Sequence, residues 1–459
     1  MNGKWMRNLF VLLSLFVFMR VHAGEPIPLT LEEARRRALQ NNPTLAQAKL
    51  DESAARWGML GAVSDALPHV SFNSSVTRFD DDYVYRQNIM RDVILQEYGQ
   101  YIDPEDFPPF AYKDMYVSSI SVDQPIYNGG IEITAIRIAR TRKKLIHLYR
   151  EISARDIVLQ AETAYYNLCR AQQAFEVQSN ALEVTRGYLE RFRRRLELGL
   201  IAEVDVLRWE VRESNDLAAL VEAENNLKLA QLSLARVMGD PPNESYYPAD
   251  LPAFLARITL SPGAGIESPD RLWEKMQESS PDLQVSRYNV KLERQNVWLT
   301  AANFQPKLNF NYTYSWQADD DLALDGFKSW TAGFSLRIPL FASFGNLARW
   351  QEARVKVKRA EEGARDYETA LYMQLTATHN DLTAAGLRLE AAMKMREQAQ
   401  KVLSSQENRY DLGMITTLEL LDARTAELTA ELGVINAYCD ALIARTNLNR
   451  ITGTLSFDH

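Results

Sequence analysis

The chain is poor in the residues that most enzymes need. Among its 459 residues are two cysteines, Cys169 and Cys439, and five histidines. Two cysteines form neither a disulfide framework nor a zinc site. No His-x-x-x-His pair, glycine-rich phosphate loop or serine-centred elbow is present, so no catalytic residue, cofactor or metal is expected. Positive charge is also short: 52 Lys and Arg face 60 Asp and Glu, a formal net charge of -8. Phosphate contacts need clustered cations, so nucleic acid is not an expected partner. Mean hydropathy is -0.29, which excludes a polytopic helical membrane protein. Yet 46% of the residues are apolar and only 20 are glycine, too apolar for a disordered chain and too little glycine for a fibrous one.

The N-terminus carries an address. Lys4 and Arg7 precede an apolar run from Leu9 to Phe18, followed by Val21-His22-Ala23. A basic stretch, a short apolar core and a small-residue site describe a cleaved secretory signal over residues 1–23. The run is shorter than the roughly 20 residues of a membrane-spanning helix.

The rest of the chain is a tandem repeat. Asn42-Pro43-Thr44-Leu45 resembles Ser280-Pro281-Asp282-Leu283, and Pro68 and Pro306 keep the same offset of 238 residues. Pro125 pairs with Pro339, Leu198-Gly199-Leu200-Ile201 with Leu412-Gly413-Met414-Ile415, and Leu234–Gly239 with Leu448–Gly453, all at an offset of 214. The first repeat spans 24–239, a Pro/Gly-rich linker 240–269, and the second repeat 270–459. The first repeat holds 24 more residues than the second between the proline landmarks, and extra length belongs in an exposed loop.

Each repeat reads as a helix, a strand hairpin and two long helices. Between Pro306 and Pro339 the period is two: Leu308, Phe310, Tyr312, Tyr314 and Trp316 alternate with polar residues, as do Trp330, Ala332, Phe334, Leu336 and Ile338. These are strands with one apolar and one polar face, in a hairpin over about 307–338. A weaker version (Val70, Phe72, Val76; Tyr116, Ile120, Val122) forms a hairpin over about 69–124, whose long connection contains Asp80-Asp81-Asp82. Elsewhere the pattern is helical. Ile157, Ala161, Ala164, Leu168, Ala171, Phe175, Gln178, Leu182, Thr185, Leu189, Phe192 and Leu196 succeed one another in alternating steps of four and three. A 3.5-residue period held that long specifies a left-handed coiled coil. A helix over about 132–198 is roughly 100 Å long at 1.5 Å per residue.

Four strands with an apolar face cannot close a barrel, because about eight is the minimum. Their open edges are forbidden in a bilayer. Several chains must therefore pool strands into one barrel in outer-membrane lipid, with two copies giving eight strands and three giving twelve. Tyr312, Tyr314, Trp316 and Trp330 suit the aromatic girdle of such a barrel. The expected fold is an α+β membrane protein, a coiled-coil helical barrel joined to a β-barrel shared between protomers. A secreted periplasmic coiled-coil adaptor or structural spacer is the alternative.

The ordered motifs resemble the TolC family of outer-membrane efflux proteins. The residues that carry the resemblance are Leu29–Ala34, Ala38–Pro43, Gln124–Gly130, Arg337–Phe341, Arg195–Gly199 and Arg409–Gly413. It covers the whole mature chain. It implies a homotrimer with four strands per chain and twelve in the barrel, sited in the cell outer membrane with its helical part in the periplasm. It also implies docking to a periplasmic adaptor (membrane fusion) protein and an inner-membrane transporter, and a role as exit duct for efflux or secretion of small molecules or proteins. By the same resemblance the duct narrows near the turns at Gly199 and Gly413, where the matching gate candidates are Asp205, Arg208, Tyr410, Glu419 and Asp422. The family's inter-helix tie uses an arginine two residues after the second glycine, and Ile415 stands there in this chain. A plain surface role for Glu419 and Asp422 near a helix start is the competing explanation. The apolar turn residues Leu198, Gly199, Leu200, Leu412, Gly413 and Met414 are the expected adaptor-docking tips, since exposed apolar turns need a reason. Asp80-Asp81-Asp82 and Asp319-Asp320-Asp321 are either calcium ligands or solvated loops.

Overall fold

The structure, a computed structural model, describes residues 26–104, 106–242, 244–250, 267–322, 324–341 and 343–454. The expected signal peptide and residues 251–266 of the expected linker lie outside the described residues. In chain order the elements are β1 (Ile27–Leu29), α1 (Leu31–Asn41), α2 (Pro43–Ser64), β2 (His69–Arg78), α3 (Asp81–Tyr98), β3 (Asp114–Asn128), α4 (Ile131–Glu197), α5 (Glu203–Met238), β4 (Tyr246–Pro248), α6 (Pro269–Ser279), α7 (Pro281–Ala301), β5 (Lys307–Ala318), β6 (Phe327–Arg337), α8 (Gly345–Asp411) and α9 (Thr417–Thr452).

The repeat reappears in the elements. Helices α4 and α8 have 67 residues each and begin at Ile131 and Gly345; α5 and α9 have 36 each and begin at Glu203 and Thr417. Both pairs keep the offset of 214. Helices α1 and α6 have 11 residues each and keep the offset of 238. Local chemistry sets the breaks. Proline lacks the N–H that a helix interior needs but fits its first turn, so Pro43 and Pro281 end one helix and open the next.

The described chain divides into two compact units, each drawing on both repeats. The first comprises residues up to 50, 148–284 and from 366 onward; the second comprises 51–147 and 285–365. In the first unit, Tyr165, Leu168 and Cys169 of α4 pack with Leu234 and Met238 of α5 and Val434, Tyr438 and Cys439 of α9. Both cysteines are free and buried. Loss of water raises both thiols, that of Cys439 to about 11, so neither is a ready nucleophile. Part of the expected linker joins this core: β4 pairs in parallel with β1, and Tyr246 is fully buried.

The second unit holds one antiparallel sheet in the order β2-β3-β5-β6. Its register places Phe72, Ile120, Tyr314 and Trp330 in one row and Val70, Val122, Tyr312 and Ala332 in the next. Because side chains alternate across a strand, the apolar residues of all four strands share one face. The other face carries Ser121, Thr313, Ser315 and Ser329, tied by hydroxyl contacts of 3.3 Å (Ser121 to Thr313) and 2.8 Å (Ser315 to Ser329), and Asn311 donates to Asp123 at 2.7 Å. Strands β2 and β6 are the edges, and every residue of both is exposed.

The long connection between β2 and β3 is not the featureless loop that its length suggests. Asp80 caps α3 by accepting from the Tyr83 N–H at 2.8 Å, and Asp81 pairs with Lys113 at 2.6 Å. Asn88 then accepts from the Phe110 N–H at 2.7 Å and donates to the Ala111 carbonyl at 2.7 Å. The first acidic triplet is thus a helix start. No group of three potential ligands that would hold a metal occurs among the described residues.

Candidate functional site: the helix tips

The turns at Gly199 and Gly413 are built alike. Gly199 (φ +63°) and Gly413 (φ +74°) end α4 and α8 in the left-handed region. A Cβ at either would meet nothing within 4 Å, so backbone conformation and not space calls for glycine. The N–H of Leu200 reaches the Arg195 carbonyl at 2.9 Å and that of Gly199 the Leu196 carbonyl at 2.9 Å. Met414 to Arg409 and Gly413 to Tyr410 repeat both bonds at 2.9 Å. These paired bonds satisfy carbonyls that a helix end leaves open. The restart differs. Helix α9 opens with a full capping box between Thr416 and Glu419, whereas Ala202 gives α5 no side-chain cap.

Beneath the turns lies a core in which Leu189, Phe192, Val206, Trp209, Leu403 and Leu420 are buried together. Trp209 is its centre, with no exposed surface; it stacks on Tyr188 at 4.7 Å and tilts against Phe192 at 5.3 Å. Phe192 in turn stacks on Tyr410 at 5.5 Å. Polar ties cross between helices around this core. The Tyr188 hydroxyl donates to Glu407 at 2.6 Å, and burial with that carboxylate raises Tyr188 to about 12. Arg195 lies over the Tyr410 ring at 5.7 Å and 3.5 Å from Asp411. Asp216, 3% exposed, accepts from Thr185 at 2.6 Å and pairs with Arg212 at 2.9 Å, and Arg212 donates to Thr425 at 2.5 Å. That chain links α4, α5 and α9.

Each residue expected at the gate has a definite place. Tyr410 is half-buried in the tip core, its hydroxyl 3.4 Å from Thr417. Asp205 is half-buried in the first turn of α5, 3.9 Å from Arg208 on the same helix. Glu419 folds back on its own cap, accepting from the Thr416 N–H at 2.7 Å, and that bond holds its carboxyl below the usual range. Asp422 is exposed, with no ion pair among the described residues. At the turns themselves Leu198, Leu200, Leu412 and Met414 are exposed. On the sheet, Tyr312, Tyr314, Trp316 and Trp330 gather on the apolar face at the end nearest the β5–β6 turn, with Tyr312 and Trp330 stacked at 6.4 Å.

The sequence pattern gives no notice of Trp209, Tyr188 or the Arg212–Asp216 pair. A signal is Thr185, which with Gln178 is one of two polar residues in the α4 stripe, and a polar residue there needs a buried partner.

Known proteins share this fold. The family profile described as outer membrane efflux protein matches residues 34–240 and 272–454. The chain belongs to the outer membrane efflux protein family. It is similar to the outer membrane protein TolC of Vibrio cholerae, at 22% identity over 93% of this chain and 91% of that protein. It is also similar to TolC of Escherichia coli, at 21% identity over 97% and 85%. The crystal structure of the outer membrane protein VceC from Vibrio cholerae superposes with a TM-score of 0.71 at 18% identity, covering 92% of this chain and 96% of that one. This member of the efflux family is an outer-membrane exit duct with its helical part in the periplasm, and not an enzyme.

Proposed function

We propose that three copies of this chain close the duct, that its tips form a periplasmic gate, and that the same tips receive an adaptor protein coupled to an inner-membrane transporter. The observation that carries the reading is the open four-stranded sheet, unpaired at β2 and β6. In a bilayer such edges must pair with another chain, and three copies supply twelve strands. A second feature agrees. Along α5, Val204, Leu207, Val211, Ala218, Val221 and Leu232 stand at coiled-coil spacing and are all exposed, a seam that requires a facing helix. Helix α8 offers Met373, Ala384, Leu387 and Val402, also exposed.

The aromatic cluster Tyr312, Tyr314, Trp316 and Trp330 serves as the girdle at one membrane interface. Asp205 and Asp422, with Tyr410 between helices, form the narrow end, where three copies of each acid on one axis attract cations. The exposed Leu198, Leu200, Leu412 and Met414 give the adaptor its apolar contact. The division at 24–239, 240–269 and 270–459 rests on the two offsets of the repeat.

Single-particle electron microscopy of the detergent-extracted protein tests the assembly. A hollow three-fold cylinder is the expected result. A two-fold particle, or one with an open sheet, overturns it.

A further inference from the structure

The roots of the two long helices, next to the strands, carry a charge pattern that neither gate nor barrel uses. Residues 131–150 hold six Lys or Arg against a single acid, Glu132, in a chain whose net charge is -8. Arg137, Arg140 and Lys144 are spaced three and four apart, hence on one face of α4. All three are exposed and form no ion pair among the described residues. By contrast, Lys356, Lys394 and Lys401 on α8 each hold a glutamate one turn away, at 2.7, 2.8 and 2.6 Å.

The same face turns apolar toward the sheet. Ile133, one turn before Arg137, is 59% exposed. The second repeat has the same order. Leu340, 93% exposed, with Phe341 and Phe344, comes after β6 and leads to Leu347 on α8. Arg354 and Lys358 then occupy the positions 214 residues after Arg140 and Lys144, and both are exposed. Apolar first and basic second, moving away from the strands, is the order of a membrane interface.

Distances agree. At 1.5 Å per residue, Arg137 and Arg140 sit about 9 and 14 Å beyond the start of α4, and Lys144 about 20 Å. The headgroup layer of each leaflet is roughly 5–8 Å thick. Helical Cα–Cβ bonds tilt toward the N-terminus, here toward the sheet, so the long Arg137 and Arg140 side chains reach back toward that layer, while Lys144 lies beyond it and adds its charge from the water side. A guanidinium matches a phosphate with two parallel hydrogen bonds.

We propose that the root of α4 binds anionic phospholipid of the leaflet facing the periplasm, with Arg137 and Arg140 on the headgroup phosphates, Lys144 adding long-range attraction from just outside them, and Ile133 at the acyl boundary. The apolar residues Leu340, Phe341 and Phe344 do the same beside α8. A stripe lining the lumen is the other arrangement, and exposed leucine and phenylalanine in a water-filled duct disfavour it.

The test uses the full chain purified in neutral detergent. Phosphatidylglycerol or phosphatidylcholine is titrated in, with retained lipid read by native mass spectrometry and the unfolding midpoint read alongside. The wild type retains phosphatidylglycerol in preference and its midpoint rises. Arg137→Gln/Arg140→Gln/Lys144→Gln lowers that affinity on the order of a hundredfold, from the usual contribution of each surface cation, and leaves the lipid-free midpoint unchanged. Arg137→Lys/Arg140→Lys, which keeps the charge, retains most of the preference. Equal phosphatidylglycerol retention by the glutamine variant overturns the proposal. So does equal stabilisation by inorganic phosphate, or a shift in ion selectivity across a planar bilayer with lipid retention intact, which assigns the stripe to the lumen. In every case the planar bilayer reports separately whether the duct conducts.

Discussion

Replacing Asp216 by alanine isolates one polar tie beneath the tips. Asp216 is 3% exposed, and its carboxylate accepts from Thr185 and pairs with Arg212. Removing one member of a buried pair leaves the other charge uncompensated, at a cost of about 3–5 kcal/mol. The Arg212 side chain is 15% exposed, so water recovers part of that, and about 3 kcal/mol is expected at the lower end of the range. That raises local opening roughly a hundredfold. The protein contains its own control. At the positions 214 residues later, Thr185, Arg212 and Asp216 are answered by Ala399, Ala426 and Ala430. The second repeat therefore fills the equivalent place with apolar residues, and Thr185→Ala/Arg212→Ala/Asp216→Ala, which removes the charges together, should cost less than Asp216→Ala alone. Hydrogen exchange of the detergent-solubilised protein, read at the α5 amides around residue 216, measures both variants, because local opening sets the exchange rate. Unchanged exchange in Asp216→Ala, or faster exchange in the triple variant than in the single one, refutes the reasoning.

Three further outcomes are expected from these contacts. Trp209→Ala empties the centre of the tip core and should cost about 3–5 kcal/mol, read as accelerated exchange confined to residues near the turns; an unchanged pattern counts against the core. Glu419→Gln keeps a capping box, since glutamine serves there as well as glutamate, and so with Asp422→Asn it removes charge without removing the cap; higher single-channel conductance is expected, and conductance equal to wild type removes both acids from the gate. Glu33 is held at about 2 by hydrogen bonds from Arg36 and Arg37. A depressed carboxyl stabilises the folded state above its unfolded value near 4.5, and that contribution fades as pH falls from there toward 2. The difference in midpoint between wild type and Glu33→Gln should therefore narrow as pH drops from 5 to 3; a constant difference excludes the ion pairs as its source.

Much of this protein was legible in the order of its residues. Two offsets, 238 and 214, predicted elements that the structure places at matching positions, because Pro43 and Pro281 restrict the backbone locally and Gly199 and Gly413 permit the left-handed turn that ends a helix. The period of two in Tyr312, Tyr314 and Trp316 required a strand with one apolar face. Strand arithmetic showed that one chain is not enough, though not how many are needed. The resemblance on Arg195–Gly199 and Arg409–Gly413 led to the efflux family that the comparison confirms.

Tertiary structure decided the rest. Helix α3 rests on Asn88 reaching Phe110 and Ala111, and no periodicity announces a contact between a helix and the loop after it. Glu419 reads from sequence as an acid available to a gate, while the structure commits its carboxylate to the Thr416 cap. Nothing in their spacing singles out Trp209, Tyr188 or Asp216, and only the packing of the helices shows that Trp209 meets Tyr188 and that Asp216 meets Thr185. Local patterns record which face of an element is apolar, since burial acts on every turn alike. Which residue touches which across helices depends on register and rotation between elements far apart in the chain, and those are fixed only when the whole unit packs.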